Sequence, residues 1–173
     1  MQNIDKPLIN RVAKSGLITF VLENLAPKLP IVIFDLKEYL WKGLVLRESD
    51  FRTALKEYDW TALENHIVCI TCTADAIIPT WAYMLVATHA QPHATQVFQG
   101  TREEFLTVWF EDKIGNLDTG QFVDAIVVVK GCGGNNVPDS AYVSLVIKIQ
   151  PHVRSLMFGE PCSTVPLYKR PKK

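Results

Sequence analysis

Three of the chain's four cysteines stand in short, polar strings able to turn tightly: Cys72-Thr73-Ala74-Asp75, Cys132-Gly133-Gly134-Asn135 and Cys162-Ser163-Thr164. A thiolate is both a soft metal ligand and a nucleophile. Either use calls for positive partial charge nearby, such as backbone amides or a helix N-terminus. Three thiolates suit zinc or an iron–sulfur cluster. A fourth ligand is missing, and Asp75, Glu160, a water or a partner's residue are candidates to complete the set. Three protein ligands with one open position is also how catalytic zinc is held. Cys69 lies inside a β-branched run and is read as apolar packing. Cys69 and Cys72 have the spacing of a zinc-ribbon pair but face opposite ways along one strand, so any convergence of thiols must come from the fold.

The elements that would deliver them are visible in an internal repeat. Shifted by 59 residues, His66–Gly100 aligns without a gap on Ala125–Gly159, with nine identities in 35, including Ile67/Ile126, Pro79/Pro138, Tyr83/Tyr142, His93/His152 and Gly100/Gly159. Each copy, about 66–100 and 125–159, opens with an apolar β-branched run, as expected of a strand covered on both faces. Pro79 or Pro138 then starts a helix, proline being favoured at the first helical position. A second strand follows, Ala94–Gln99 or Val153–Phe158. Such strand–helix–strand units pair their strands in parallel with a right-handed crossover. Between the copies, Thr101–Glu104 opens an amphipathic helix with acidic residues at its positive end. Ahead of them, 17–22 and 31–35 read as a strand pair around the Pro27–Pro30 turn, and Ser49 as the cap of a helix over 50–58. The expected fold is a single layered α/β domain over 1–173, with a mostly parallel sheet built from the two repeats plus the N-terminal strand pair.

In that arrangement Cys72, Cys132 and Cys162 all follow the carboxyl ends of parallel strands. These ends share one edge of a sheet, where ligands of open α/β folds gather. His93 and His152 precede the opposite, amino ends and read as helix-terminating residues, while His66 and His89 read as packing or surface residues. No Ser-His-Asp constellation is supported. Gly131–Gly134 with Asn135 and Asn136 follows a strand but lacks both the dinucleotide glycine pattern and the Walker lysine. Tyr83, Tyr142 and Trp81 read as core or interface residues.

Composition narrows the classes further. With 173 residues, 48% hydrophobic and 21% charged, the chain can build a core without disulfides or structural metal. Its 18 basic and 18 acidic residues balance only because Lys169, Arg170, Lys172 and Lys173 crowd the end; the remainder is net negative by about four and offers no basic stripe for nucleic acid. The basic tail, 169–173, reads as a solubilising end. No basic segment followed by an apolar one opens the chain, and charges interrupt the apolar stretch from Leu17 to Leu46. A cytoplasmic protein with reduced cysteines and no membrane contact is expected.

Four strings carry a family resemblance: Asn10-Arg11-Val12-Ala13-Lys14-Ser15-Gly16-Leu17, Cys72 through Tyr83, Lys130-Gly131-Cys132-Gly133, and Gly159 through Tyr168. From Asn10 to Lys173 the chain resembles the bacterial domain-of-unknown-function family DUF2480. That resemblance implies a single-domain cytosolic bacterial protein and brings no established activity. Its members are often encoded beside the machinery that mobilises sulfur for iron–sulfur clusters, which implies a cluster- or sulfur-handling role and iron–sulfur assembly proteins as partners.

Three functions are compatible with these residues. The first is an accessory protein that binds zinc or an iron–sulfur cluster through Cys72, Cys132 and Cys162, supported by Asp75 and Glu160. The second is a thiol-dependent enzyme or sulfur carrier using one of the same cysteines. The third is a non-catalytic scaffold, dimeric through the Trp109 helix or the Tyr83 face. Whether the protein is an enzyme stays open.

Overall fold

The computed structural model describes residues 17–131, 136–160 and 163–171. In chain order the elements are β1 (Leu17–Val21), β2 (Ile31–Asp35), β3 (Leu40–Trp41), β4 (Val45–Leu46), α1 (Glu48–Glu57), β5 (Ile67–Thr71), α2 (Thr80–Ala90), β6 (Gln96–Gln99), α3 (Arg102–Gly115), β7 (Ile126–Lys130), α4 (Asp139–Ile149), β8 (Ser155–Glu160) and β9 (Ser163–Lys169). Among the described residues, no helix is long and apolar enough to cross a membrane. The chain divides into two compact units, Pro27–Trp109 and Met1–Ala26 with Phe110–Lys173.

The α/β class, the parallel pairing and the strand–helix–strand repeat are as expected. The strands, however, distribute over two principal sheets, β2-β5-β6 and β1-β7-β8-β9, with β3 and β4 forming a small ribbon. The N-terminal strands do not pair with each other. Instead β2 lies parallel to β5, with Ile31 beside Ile67, and β1 lies parallel to β7, with Leu17 beside Ile126. A second, shorter repeat accounts for this: Leu17–Glu23 and Ile31–Lys37 are both an apolar strand with phenylalanine at its fourth position, followed by a fully buried leucine, Leu22 or Leu36. Each N-terminal strand serves one copy of the longer repeat.

Within each copy the helix packs by the same face. Ala82, Val86 and Ala90 of α2 are fully buried, and so, 59 residues on, are Ala141, Leu145 and Ile149 of α4. This is the four-residue spacing of one helical stripe. Pro79 and Pro138 sit one position earlier than expected, as cap residues with extended backbone whose carbonyls accept from Ala82 and Ala141. Helix α1 starts at Glu48, so Ser49 lies inside it and does not cap it. Helix α3 begins with a reciprocal capping box: Thr101 N donates to Glu104 Oε2 at 2.7 Å, and Glu104 N donates to Thr101 Oγ1 at 3.2 Å.

Around β2 the core is aromatic. Phe34 stacks between Tyr39 and Trp60, at 5.3 and 5.7 Å between ring centres, and Tyr58 meets it edge-on. All five residues of β5 are buried, as its uninterrupted apolar run requires. In the other unit β9 runs antiparallel along β8. Within β8, opposite Thr164 of β9, Gly159 has a φ of +119° that suits glycine, and its Cβ, if present, would lie 2.6 Å from the Ser163 carbonyl oxygen. The basic end is therefore not simply a tail: Lys169 completes β9, and Arg170 pairs with Asp124 and donates to the His152 carbonyl at 2.8 Å.

Candidate functional site

Cys72 immediately follows β5, half-buried, with its Sγ directed at the Ala74 carbonyl at 3.8 Å. The next residue braces the loop against the neighbouring strand. Thr73 N donates to Asp35 Oδ1 at 3.1 Å, and Thr73 Oγ1 donates to Asp35 Oδ2 at 2.6 Å. Asp35 ends β2 and also accepts from Lys37 N at 3.0 Å, with Lys37 Nζ at 3.6 Å. Burial works against ionisation of Asp35, but the Thr73 hydroxyl, the Lys37 and Thr73 amides and the Lys37 ammonium outweigh it and hold the carboxyl below its ordinary value. Tyr83 of α2 is shifted the other way: burial raises its hydroxyl, and the nearby Cys72 and Asp35 add to the effect.

Cys72, Asp35, Thr73 and Tyr83 thus share the carboxyl edge of β2 and β5. Asp35 and Thr73 were missed by the sequence reasoning, which treated Asp35 as the end of a strand. A carboxylate at a parallel-strand terminus, in an otherwise apolar segment, was the available signal. Asp75 is exposed in the same loop. Cys69 is buried within β5, and burial pushes its thiol up to about 11, the charges of Arg102 and Glu103 acting in opposite directions. That agrees with its assignment to packing.

Cys132 and Cys162 lie outside the described residues. The strands that lead to them in sequence are described: β7 and β8 are parallel neighbours, and their last residues form an ion pair, Lys130 Nζ to Glu160 Oε2 at 3.1 Å. Glu160 is thereby neutralised by a cation, a poor starting point for a metal ligand. Gly131, just past β7, packs on the Phe158 ring so closely that a Cβ there would overlap it, and Phe158 in turn meets Tyr142 edge-on at 5.7 Å. The expectation that all three cysteine-bearing strands share one sheet edge is corrected here, since β5 belongs to a different sheet from β7 and β8. Among the described residues, no group of three His, Cys, Asp or Glu side chains is placed to hold a metal ion.

The histidines take structural positions. His89 stacks on Trp60 at 5.2 Å, and His66 Nδ1 lies 2.7 Å from the Glu64 carbonyl. His93 and His152 close the last turns of α2 and α4 through their backbone amides, at 3.0 and 2.9 Å. Both lie at the amino ends of the following strands, β6 and β8, opposite the carboxyl end of β5 that leads to Cys72 and that of β7.

Comparison with curated proteins gives no match, and comparison with solved structures gives none. The family described as "Protein of unknown function (DUF2480)" matches residues 6–170, nearly the whole chain, and the protein therefore belongs to that family.

Proposed function

We propose that this chain is a cytoplasmic accessory protein of iron–sulfur or sulfur metabolism that holds zinc or an iron–sulfur cluster through Cys72, Cys132 and Cys162. The observation that carries this is the β7–β8 pair. The two strands are parallel neighbours tied by Lys130 and Glu160, and in sequence Cys132 comes two residues after Lys130 and Cys162 two after Glu160. Two soft donors would leave one strand edge together, and Cys72 follows the corresponding strand of the first repeat. The thiols suit either group chemically. The carboxylates fit less evenly: Asp75 is exposed three residues past Cys72, whereas Glu160 would first have to give up Lys130. A bound zinc would supply a Lewis-acid centre, and a cluster would supply sulfur or electrons. Iron–sulfur assembly proteins are the proposed partners.

Anaerobic purification followed by metal and acid-labile sulfide analysis tests this. Zinc, or iron with sulfide, is expected in the native chain and is lost in Cys132→Ser and Cys162→Ser. A native protein free of all three refutes it.

The surroundings of Cys72 favour a second reading, a thiol-dependent enzyme or sulfur carrier. Its loop is braced by Asp35, and it lies close enough to Tyr83 for their charges to interact. Selective alkylation of Cys72 at neutral pH, with loss of sulfur transfer, would support that reading over ligation.

A further inference from the structure

The two repeats form equivalent open grooves between helix and strand, but only one has a further strand along its wall. In the second repeat Val129, Tyr142, Val143, Val146 and Phe158 line a cavity of about 440 Å³, and Leu167 of β9 completes the wall. The positions 59 residues earlier are Ile70, Tyr83, Met84, Ala87 and Gln99, and they line a groove of about 820 Å³ over α2 and β6. No counterpart of Leu167 lines it. After β8 the chain returns as β9, whereas after β6 it enters α3.

The strand edge beside the groove is open in the same sense. Among the described residues β6 pairs with β5 alone. Gly100 N donates to the Ile70 carbonyl at 2.9 Å with Gln96 opposite Ile67, which fixes the alternation of the parallel ladder: the backbone groups of Gln96 and Phe98 face β5, and those of Val97 and Gln99 are directed away from it. The equivalents of Val97 and Gln99 on β8, Leu156 and Phe158, lie opposite Tyr168 and Val165 of β9. Leu167 is the residue left over where that pairing shifts register.

We infer that the outer edge of β6 binds an extended peptide of a partner protein, running antiparallel to β6 and placing an uncharged apolar side chain in the groove where Leu167 lies in the other repeat. Backbone pairing at the edge would supply affinity, and the groove would supply specificity. No charged side chain lines the groove, so the inward face of the peptide must also be uncharged. A second copy pairing through its own β6 fits less well, since that strand is four residues long with glutamine at both ends. The inference does not depend on the cysteines.

The probe is the acetylated, amidated heptapeptide Ser-Thr-Val-Pro-Leu-Tyr-Lys, the sequence of β9, titrated into the nitrogen-15-labelled full chain. Saturable amide shifts are expected along β6 and the groove side of α2, with slowed hydrogen exchange at Val97 and Gln99. Met84 is 64% exposed, so Met84→Glu should leave the fold intact, as an unchanged melting curve would verify, and should weaken binding about tenfold or more by setting an unpaired charge against the apolar chain. The same peptide carrying Leu167→Asp should lose as much against the native protein, a control that needs no protein variant. Absence of shifts at millimolar peptide overturns the inference. So do shifts confined to β8, or amides of Val97 and Gln99 already protected in the chain alone, which would mean that the chain itself or a second copy covers the edge.

Discussion

Replacing Asp35 with alanine should release the loop that carries Cys72. The carboxylate accepts two hydrogen bonds from Thr73, at 3.1 and 2.6 Å, and its side chain is only 13% exposed. Bonds to a charged group contribute about 1.5–3 kcal/mol each. Thr73 is exposed, so its donors recover water when the carboxylate is removed, and the low end applies. The net cost should be roughly 2–3 kcal/mol. Because the folded-state carboxyl lies below its ordinary 3.8, this stabilisation is complete above that pH and declines as the pH falls through the lower, folded value. Urea unfolding of the native chain, Asp35→Ala, Thr73→Val and the double variant gives the coupling between the two side chains. At pH 7 the Asp35→Ala gap should be largest, and it should narrow below pH 3.8. A gap below about 0.5 kcal/mol at neutral pH, the range of ordinary surface substitutions, refutes the bracing role. A gap that widens on acidification does the same.

Gly131→Ala should displace Phe158 from its contact with Tyr142 and cost about 1–3 kcal/mol, as measured by equilibrium unfolding. Leu145→Ala, on the buried face of α4, should cost about 2–5 kcal/mol, while Val143→Ala, 59% exposed on the same helix, should stay within about 0.5 kcal/mol. In the native chain iodoacetamide should label Cys72 and leave Cys69 unmodified until denaturant is added, as peptide mapping would show, because Cys69 is buried with its thiol raised to about 11.

The repeat was legible because each copy must bury the same surfaces. The four-residue stripes of buried apolar residues on α2 and α4, and the apolar, mostly β-branched runs of β5 and β7, declare both element type and burial. Pairing partners were not legible. Apolar patterning says that β1 and β2 are covered but not by what, and the short Pro27–Pro30 connection resembles a turn between antiparallel strands. The relation between Leu17–Glu23 and Ile31–Lys37 carried the missing information, although it extends over too few residues to dominate a search for repeats. Strand β9 was obscured by Pro166 and by the basic residues that follow, both ordinary marks of an irregular end. The placement of Cys72 past a buried strand and the exclusion of Cys69 were readable from position alone. The partnership of Asp35 with Thr73 was not, because it joins residues 38 apart in sequence through the β2–β5 pairing.

The proposal of a thiol-bound metal is tested most directly by titrating cobalt(II), a spectroscopic stand-in for zinc, into the anaerobically reduced full chain and each single cysteine-to-serine variant. Thiolate ligation gives a sulfur-to-cobalt charge-transfer band whose intensity follows the number of coordinating sulfurs. The band should appear in the native chain and in Cys69→Ser, and should weaken or vanish in Cys72→Ser, Cys132→Ser and Cys162→Ser. No band in the native chain, or one indifferent to all three of those variants, would contradict the account.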